Sequence, residues 1–244
     1  MAHNQFVRIL PDCRKTVVLI HGILGTPDHF SFLLDVIPQD WNVCNLLLDG
    51  HGAGPAEFAA TSMAKWQTQV SQQLDQIAQY SNRVVIVAHS MGTLLAIRQA
   101  IARPELICHL LLLAVPLQPF VRPATALASA RLALGLGDKD PLARIMRDDS
   151  SVTLPSGVFH YTPWIPRFWE LLRECRFTCK ALPKLNVSCD AFQSRKDELV
   201  GMSSARLLAE TPHVCVHVLE DSGHFTYSPE DRQLMITRFC QILS

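Results

Sequence analysis

The stretch Ala88-His89-Ser90-Met91-Gly92 decides the fold. The apolar run Arg83–Ala88 predicts a strand before the serine, and Met91–Ala102 has a helical pattern after it. A strand, a sharp turn and a helix with serine at the tip form a nucleophile elbow, which projects the serine hydroxyl above the sheet. The small residues two positions before and after the serine let strand and helix cross closely. Ser90 is therefore the predicted nucleophile.

Short apolar, β-branched runs alternate with longer helical patterns along the 244 residues. This alternation is typical of an α/β fold with a mostly parallel central sheet and helices on both faces. The predicted strands are Phe6–Leu10, Thr16–His21, Asn42–Leu48, Arg83–Ala88, His109–Ala114, Asn186–Gln193 and Val214–Leu219. The predicted helices are Asp28–Ile37, Met63–Gln79, Met91–Ala102, Ser203–Glu210 and Pro229–Ile242.

One segment, residues 116–183, interrupts the alternation because it has no convincing strand and is rich in apolar, aromatic and proline residues. A compact sheet needs only a short crossover at such a place. We therefore predict a helical cap inserted into a core made of residues 1–115 and 184–244. Phe159, Trp164 and Phe168 are its candidate pocket residues. A longer, ordinary crossover with extra packing is the alternative.

A serine hydroxyl is a poor nucleophile at neutral pH, so it needs a histidine base and a carboxylate that orients the histidine. On this architecture the acid follows a late strand and the histidine follows the last strand. Asp197 lies just beyond the predicted strand that ends at Gln193, and His224 follows the strand that ends at Leu219. The predicted triad is Ser90, Asp197 and His224.

Three other carboxylates compete with Asp197 for the role of the acid. Glu198 is adjacent to it and is the first alternative, Asp190 lies inside a predicted strand, and Asp221 is on the loop of the histidine. His21, His51 and His89 are interpreted as structural residues that shape loops or pack beside the elbow.

An oxyanion hole needs two N–H donors aimed at the tetrahedral intermediate. The backbone N–H of Met91, directly after the nucleophile, is the first predicted donor. The second comes from the loop His21-Gly22-Ile23-Leu24-Gly25-Thr26-Pro27, whose glycines permit close backbone approach. We assign it to Ile23.

The amino-acid composition limits the classes of partner that we expect the protein to bind. Lys+Arg and Asp+Glu each total 22, and this balance gives no sign of electrostatic binding to nucleic acid. No segment approaches the roughly 20 apolar residues of a membrane span, so we expect no stable membrane insertion.

The eight cysteines are scattered, which predicts buried, reduced thiols in a cytoplasmic protein rather than a metal site. We expect no cofactor, since no phosphate-binding glycine loop is present. The oligomeric state is not readable from the sequence.

The elbow, the His21–Pro27 loop, Asp49-Gly50-His51-Gly52, Asp197 and Ser222-Gly223-His224 together resemble the α/β-hydrolase superfamily along nearly the full chain. Within it the chain looks most like small bacterial carboxylesterases and monoacylglycerol lipases. The resemblance implies the same triad and the same two oxyanion donors. Ala88 departs from the family pattern, which usually has glycine there.

The sequence therefore predicts a serine carboxylesterase that cleaves a small-molecule ester with a hydrophobic acyl group through an acyl-enzyme. The apolar composition of residues 116–183 is the reason to expect a hydrophobic substrate. The same triad acting on an amide, a thioester or a carbon–carbon bond is the alternative. A non-catalytic binding protein on this fold is the third hypothesis.

Overall fold

A central sheet organises the protein, and the computed structural model describes residues 3–244. Within those residues the sheet has seven strands in the order β1-β3-β2-β4-β5-β6-β7. β1 pairs antiparallel with β3, and the other neighbouring pairs are parallel. The predicted mostly parallel sheet is confirmed. The strands are β1 Phe6–Arg8, β2 Lys15–Ile20, β3 Asn42–Leu46, β4 Arg83–His89, β5 Ile107–Leu113, β6 Ser188–Ser194 and β7 Val214–Leu219.

Helices cover both faces of this sheet. They are α1 Ser31–Leu34, α2 Pro55–Ala60, α3 Met63–Ile77, α4 Met91–Ala102, α5 Pro123–Ala133, α6 Pro141–Asp148, α7 Ile165–Ala181, α8 Met202–Ala209 and α9 Pro229–Leu243. Alternate residues of β2 divide between two cores: Val18 and Ile20 pack with α3 and α4, whereas Val17 and Leu19 pack with α1 and α9. The central strands β2 and β4 are therefore buried on both sides, as their near-continuous apolar runs require.

The predicted helix Asp28–Ile37 is wrong in extent. A 3₁₀ turn, Pro27–Phe30, occupies its first part, and α1 adds only four residues. The turn is tight because the Ser31 N–H bonds to the Asp28 carbonyl, three residues back. The short helix α2 was not predicted. The remaining predicted strands and helices agree with the structure to within two residues at each end.

The segment between β5 and β6 contains helices and no strand of the sheet, as expected. We call residues 116–187, with α5, α6 and α7, the inserted segment. It lies against the core: Trp164 is buried, contacts the Phe58 ring and donates its indole N–H to the Pro55 carbonyl at 3.0 Å. Within residues 3–244, no helix combines the length and apolar character needed to cross a bilayer.

All eight cysteines are unpaired. Cys44, Cys175 and Cys189 are buried, and burial raises the pKa of the Cys44 and Cys175 thiols to about 12. The expectation of burial is wrong for Cys108 and Cys215, which are exposed although they lie in strands. Each is the second residue of its strand, and β7 lies at the edge of the sheet, so an apolar run alone does not bury each member.

Asp190 ties three elements together at the end of the sheet where β5, β6 and β7 begin. Its buried carboxylate accepts hydrogen bonds from His109 of β5 at 2.7 Å, His217 of β7 at 2.6 Å and Arg238 of α9 at 2.8 Å. Burial opposes ionisation of Asp190, but the bonds from His109, Arg238 and His217 hold its pKa well below the ordinary value. We call this ion-paired cluster of Asp190, His109, His217 and Arg238 the charged joint, because it links β5, β6 and β7 to α9.

Replacing this joint should destabilise the protein. A hydrogen bond to a charged group contributes about 1.5–3 kcal/mol, and less where solvent screens it. His109 and Arg238 are partly exposed. We therefore expect Asp190→Asn to lower the unfolding free energy by about 1–3 kcal/mol at pH 7. A carboxyl whose pKa is lower folded than unfolded stabilises above its ordinary value, 3.8, and loses that contribution as the pH falls further. Urea unfolding at pH 7 and pH 3 should show the difference narrowing in acid. Asp75→Asn is the control, because Asp75 forms an exposed ion pair with Arg103, and we expect its unfolding free energy to stay close to that of the unmodified protein.

Candidate active site

The predicted site residues follow the carboxyl ends of four parallel strands of the sheet. Ile23 follows β2, Ser90 follows β4, Asp197 follows β6 and His224 follows β7. The carboxyl ends of parallel strands meet at one edge of a sheet, where α/β proteins bind their ligands. The fold thus brings residues from distant parts of the sequence to one edge.

Ser90 stands at a strained turn. Its backbone has φ 50° and ψ −122°, a conformation that a non-glycine residue rarely adopts. The Ser90 N–H donates to the Leu113 carbonyl at 2.9 Å, and the Thr93 hydroxyl donates to the Ser90 carbonyl at 2.6 Å. These bonds hold the strained residue at the start of α4. A strand-to-helix junction with strained serine is the geometry of a nucleophile elbow.

Asp197 orients the His224 ring. The Nδ1 atom of His224 lies 2.9 Å from Oδ2 and 3.1 Å from Oδ1 of Asp197, and both side chains are buried. The Asp197 Oδ1 atom also accepts the backbone N–H groups of Leu199 and Val200, each at 2.7 Å. Burial lowers the pKa of His224, but the charge and hydrogen bond of Asp197 outweigh it and raise that pKa above 6.5.

The three alternative acids lie elsewhere. Glu198 accepts the backbone N–H of His224 at 2.6 Å, so it contacts the histidine through the main chain rather than the ring. Asp190 belongs to the charged joint at the opposite end of the strands. Asp221 forms an exposed ion pair with Lys196 at 2.7 Å. Among the carboxylates of residues 3–244, Asp197 bonds to the His224 ring.

The predicted oxyanion donors are both free to bind a ligand. Among residues 3–244, neither the Ile23 N–H nor the Met91 N–H donates a hydrogen bond. Gly22 lets the Ile23 loop approach the nucleophile, since a Cβ atom there would lie 2.9 Å from the Ser90 Cβ atom. The Ser90 hydroxyl likewise has no hydrogen-bond partner within the described chain.

Buried histidines surround this edge of the sheet. His89 donates its Nε2–H to the His224 carbonyl at 3.1 Å, and its ring stacks on His29 with centroids 4.0 Å apart. Burial, with the charges of His29 and His224, lowers the pKa of His89 far below 6.5. His21 is buried beneath the loop and its pKa is lowered in the same way, first by burial and then by His51. Neutral His21 and His89 fit the structural roles expected from the sequence.

A cavity of about 480 Å³ lies between the site and the inserted segment. On the core side it is lined by Ile23, by Leu199, two residues after Asp197, and by Phe225, directly after His224. The opposite wall contains Trp164 and Phe168 of the inserted segment. Cavities of this size accommodate small organic ligands. The lining is apolar except for Ser129, Asp149, Ser150 and the hydroxyl of Tyr161.

The structure separates the three candidate pocket residues. Trp164 and Phe168 line the cavity, whereas Phe159 does not and is 89% exposed. Phe159 lies in a 3₁₀ turn, Val158–Trp164, that buries Trp164 and turns Phe159 outward. Among the three candidates, the structure therefore places Trp164 and Phe168, and not Phe159, at the cavity.

Asp190, Cys215 and His217 place potential ligand atoms within 4.8 Å of one another. These residues do not fit a metal site well, because Asp190 already accepts hydrogen bonds from His217, His109 and the cationic Arg238. An arginine on the same carboxylate oxygen repels a cation. The chemistry of this cluster is that of an ion-paired joint.

Two polar side chains hold the loop that contains Ile23, and the sequence indicates only one of them. His51 is predicted to be a structural loop residue, and it accepts the Leu24 N–H at 3.1 Å, whereas Ser151 was missed. The Asp49-Gly50-His51-Gly52 motif was a signal for His51. Ser151 gave none, since it lies 127 residues after Leu24, which its N–H contacts.

The sequence profile described as the alpha/beta hydrolase family matches residues 17–235. The chain belongs to the alpha/beta hydrolase family. The predicted family and fold class are thereby confirmed. The match covers the elbow, the Ile23 loop, the inserted segment and the loop of His224 of this hydrolase.

Two solved structures resemble the hydrolase over almost its whole length. A metagenome-derived lipolytic enzyme, from work on LipS and LipT, has a TM-score of 0.76 and 20% identity, covering 99% of this chain and 97% of that chain. A monoacylglycerol lipase of Paleococcus ferrophilus has a TM-score of 0.68 and 17% identity, with 98% of each chain covered. At such identities the likeness shows the fold.

A third relative shares part of the sequence. The dihydrolipoyllysine-residue acetyltransferase component of the acetoin cleaving system of Cupriavidus necator is 33% identical over 91 residues. The match spans 37% of this chain and 24% of that protein.

Proposed function

We propose that this hydrolase cleaves carboxylic esters with a hydrophobic acyl group, using Ser90, His224 and Asp197 as the catalytic triad. The observation that carries the proposal is the bond between His224 Nδ1 and Asp197 Oδ2 at 2.9 Å, beside a serine held at φ 50°. Asp197 fixes the ring so that its Nε2 atom is free to take a proton from the serine hydroxyl.

The reaction proceeds in two steps. Ser90 Oγ adds to the ester carbonyl while its proton passes to His224, and the resulting oxyanion accepts the N–H groups of Ile23 and Met91. His224 then protonates the departing alcohol, leaving an acyl-enzyme that water hydrolyses by the same steps. No hydrogen bond joins the Ser90 hydroxyl to His224 in the described residues. This bond forms when substrate is bound, since catalytic hydrogen bonds tighten in the Michaelis complex.

The inserted segment serves as a cap that binds the acyl group. Its Trp164 and Phe168 side chains face Ile23, Leu199 and Phe225 across the cavity. The apolar lining supports an alkyl or aryl acyl group as the part of the substrate that enters it. The lipolytic and monoacylglycerol lipase activities named for the structural neighbours agree with such a substrate.

Hydrolysis of a series of p-nitrophenyl esters and monoacylglycerols, with Ser90→Ala as the control, tests the proposal. We expect turnover that depends on Ser90 and has a maximum at one acyl length. Turnover that persists in Ser90→Ala contradicts the triad. If no ester is hydrolysed while a covalent probe still labels Ser90, the substrate is instead an amide, a thioester or a compound with a cleavable carbon–carbon bond.

Phe168→Ala should change the acyl-length preference, because the variant removes apolar contact from the cavity wall. Since a methylene-sized difference in an apolar pocket alters transition-state binding by about 1–3 kcal/mol, kcat/KM for long-chain esters should change about tenfold. The acetate ester, which does not reach this wall, should change less than about twofold.

Phe159→Ala is the matched control for this experiment, because Phe159 is exposed and does not line the cavity. Its acyl-length profile should equal that of the unmodified protein. Equal losses on all esters in Phe168→Ala would show that Phe168 supports the fold rather than substrate binding. Trp164 is a poorer choice for the test, since its indole also bonds to Pro55 in the core.

A further inference from the structure

The loop that carries the Ile23 N–H contains a strained turn. The Gly25 N–H donates to the Gly22 carbonyl at 3.1 Å, and Leu24, the third residue of this turn, has φ 59°. Type II turns require a positive φ at that position, which favours glycine over leucine. Such a conformation persists only where surrounding contacts hold it. We call residues 22–25 the oxyanion loop.

The peptide group between Gly22 and Ile23 is held from its carbonyl side. The Gly22 oxygen accepts from the Gly25 N–H and lies 2.9 Å from the His21 Nδ1 atom. The Ile23 N–H belongs to the same planar group and points the opposite way. The bonds to the Gly22 oxygen therefore set the direction of the proposed oxyanion donor.

His51 holds the next peptide group. Its Nε2 atom accepts the Leu24 N–H at 3.1 Å, and its Nδ1 atom lies 3.3 Å from the Asp49 carbonyl. Burial lowers the pKa of His51 to about 4, so the ring is neutral at pH 7 and has a lone pair for Leu24. A neutral ring that donates from Nδ1 to Asp49 presents that lone pair at Nε2.

Ser151 of the inserted segment holds the carbonyls of Leu24 and Gly25. Its N–H donates to the Leu24 oxygen at 2.8 Å, and its hydroxyl donates to the Gly25 oxygen at 2.5 Å. Ser151 is 6% exposed, so water does not compete freely for these bonds. The oxyanion loop is thus bonded to the core on one side and to the inserted segment on the other.

We infer that His51 and Ser151 are positioning residues that hold the strained oxyanion loop so that the Ile23 N–H faces the reacting carbonyl oxygen. This inference rests on the proposed function, which assigns Ile23 as an oxyanion donor. Because Ser151 belongs to the segment that also lines the acyl cavity, the position of that segment and the stabilisation of the oxyanion are coupled.

Two pairs of variants test the inference on the full chain. His51→Phe keeps an aromatic ring but removes the acceptor for Leu24, whereas His51→Gln retains an acceptor oxygen near the Nε2 position. Ser151→Ala removes the bond to Gly25, whereas Ser151→Thr retains the hydroxyl. Ser156→Ala is the control, because Ser156 is exposed, in the same segment, and outside the cavity lining.

The activity readout separates oxyanion stabilisation from substrate binding. Since a displacement of about 1 Å in a catalytic group can cost about 100-fold, we expect kcat to fall about 10- to 100-fold in His51→Phe and about 5- to 10-fold in Ser151→Ala. KM for a short ester should stay within about twofold, because the oxyanion interaction is made in the transition state. His51→Gln and Ser151→Thr should recover most of the loss.

A trifluoromethyl ketone gives a second readout. Ser90 Oγ adds to the ketone carbon, its proton passes to His224, and the carbonyl electron pair becomes an oxyanion facing Ile23 and Met91. The inhibition constant should rise by the same factor as kcat/KM falls across the variants. A variant that merely lowers the folded fraction changes the number of active sites and leaves this constant unaltered.

Hydrogen exchange at the Leu24 amide, followed by NMR, does not depend on any substrate. The amide should be protected in the unmodified protein and exchange faster in His51→Phe. Unchanged exchange there, or variants with unchanged kcat and inhibition constants in a Ser90-dependent esterase, would overturn the inference. Failure of the unmodified protein to hydrolyse esters would instead contradict the proposed function, and the exchange result would still decide whether His51 holds the loop.

Discussion

Asp197→Asn should lose about 10⁴-fold in kcat while the protein keeps its fold. The reason lies in the other partners of the side chain. Asp197 Oδ1 accepts the N–H groups of Leu199 and Val200 at 2.7 Å each. An asparagine must keep its oxygen at that position to satisfy both donors, and its NH₂ group then faces the Nδ1 atom of His224.

An NH₂ group at this place selects the wrong tautomer of the histidine. The His224 Nδ1 atom must then accept a hydrogen bond, so the ring proton moves to Nε2, the atom that has to take the proton of Ser90. The base is present but already protonated at the reacting nitrogen. Single-turnover and steady-state hydrolysis of an activated ester, with Ser90→Ala as the background, measure the loss.

The pH profile provides an independent check on the same variant. Asp197 raises the pKa of His224 against the effect of burial, so removing the negative charge should lower that pKa. Because the neutral ring is the active form, the acid limb of kcat/KM should move to lower pH in Asp197→Asn. An acid limb that stays in place would show that Asp197 does not set the charge of the ring.

Glu198→Gln is the matched comparison, because Glu198 was the first alternative acid in the sequence. Its carboxylate accepts the backbone N–H of His224 at 2.6 Å, and a glutamine oxygen can accept the same bond. We expect a loss of less than about tenfold, since a neutral acceptor replaces a charged one at the main chain. A larger loss in Glu198→Gln than in Asp197→Asn would assign the acid to Glu198.

Much of the fold and of the candidate site could be predicted because its signals are local. The strained serine lies between an apolar run and a helix, and Asp197 and His224 each lie a few residues beyond a strand. Parallel strands end at one edge of the sheet, so residue order along the chain is enough to expect a common site.

The contacts that hold the site could not be predicted because they join distant parts of the chain. Ser151 bonds to Leu24 across 127 residues, and although Leu24 lies in the His21–Pro27 motif, Ser151 belongs to no recognisable pattern. Phe159 and Phe168 are equally apolar, yet only Phe168 lines the cavity, because a turn that depends on burial of Trp164 directs Phe159 outward. Side-chain direction in a helical segment is decided by tertiary packing.

Gly92→Ala should be the most destabilising small substitution at the elbow. A Cβ atom at this position would overlap the carbonyl oxygens of Ile20, the last residue of β2, and of His21, which follows it. These are backbone atoms of a central strand, so no flexible side chain can move aside. Overpacking of a core commonly costs about 1–3 kcal/mol and more where backbone must shift, and we expect at least about 3 kcal/mol here.

Thermal unfolding measures this effect against a matched glycine. For a chain of this length each kcal/mol lowers Tm by about 2–4 °C, so Gly92→Ala should lower it by roughly 6–12 °C or prevent accumulation of folded protein. Gly201→Ala is the control, since a Cβ atom there meets its nearest neighbours at 3.6 Å, an ordinary contact. An unchanged Tm in Gly92→Ala would mean that β2 and α4 can separate. The Ile23 loop, which continues β2, would then shift away from Ser90, and ester turnover should fall even though the fold survives.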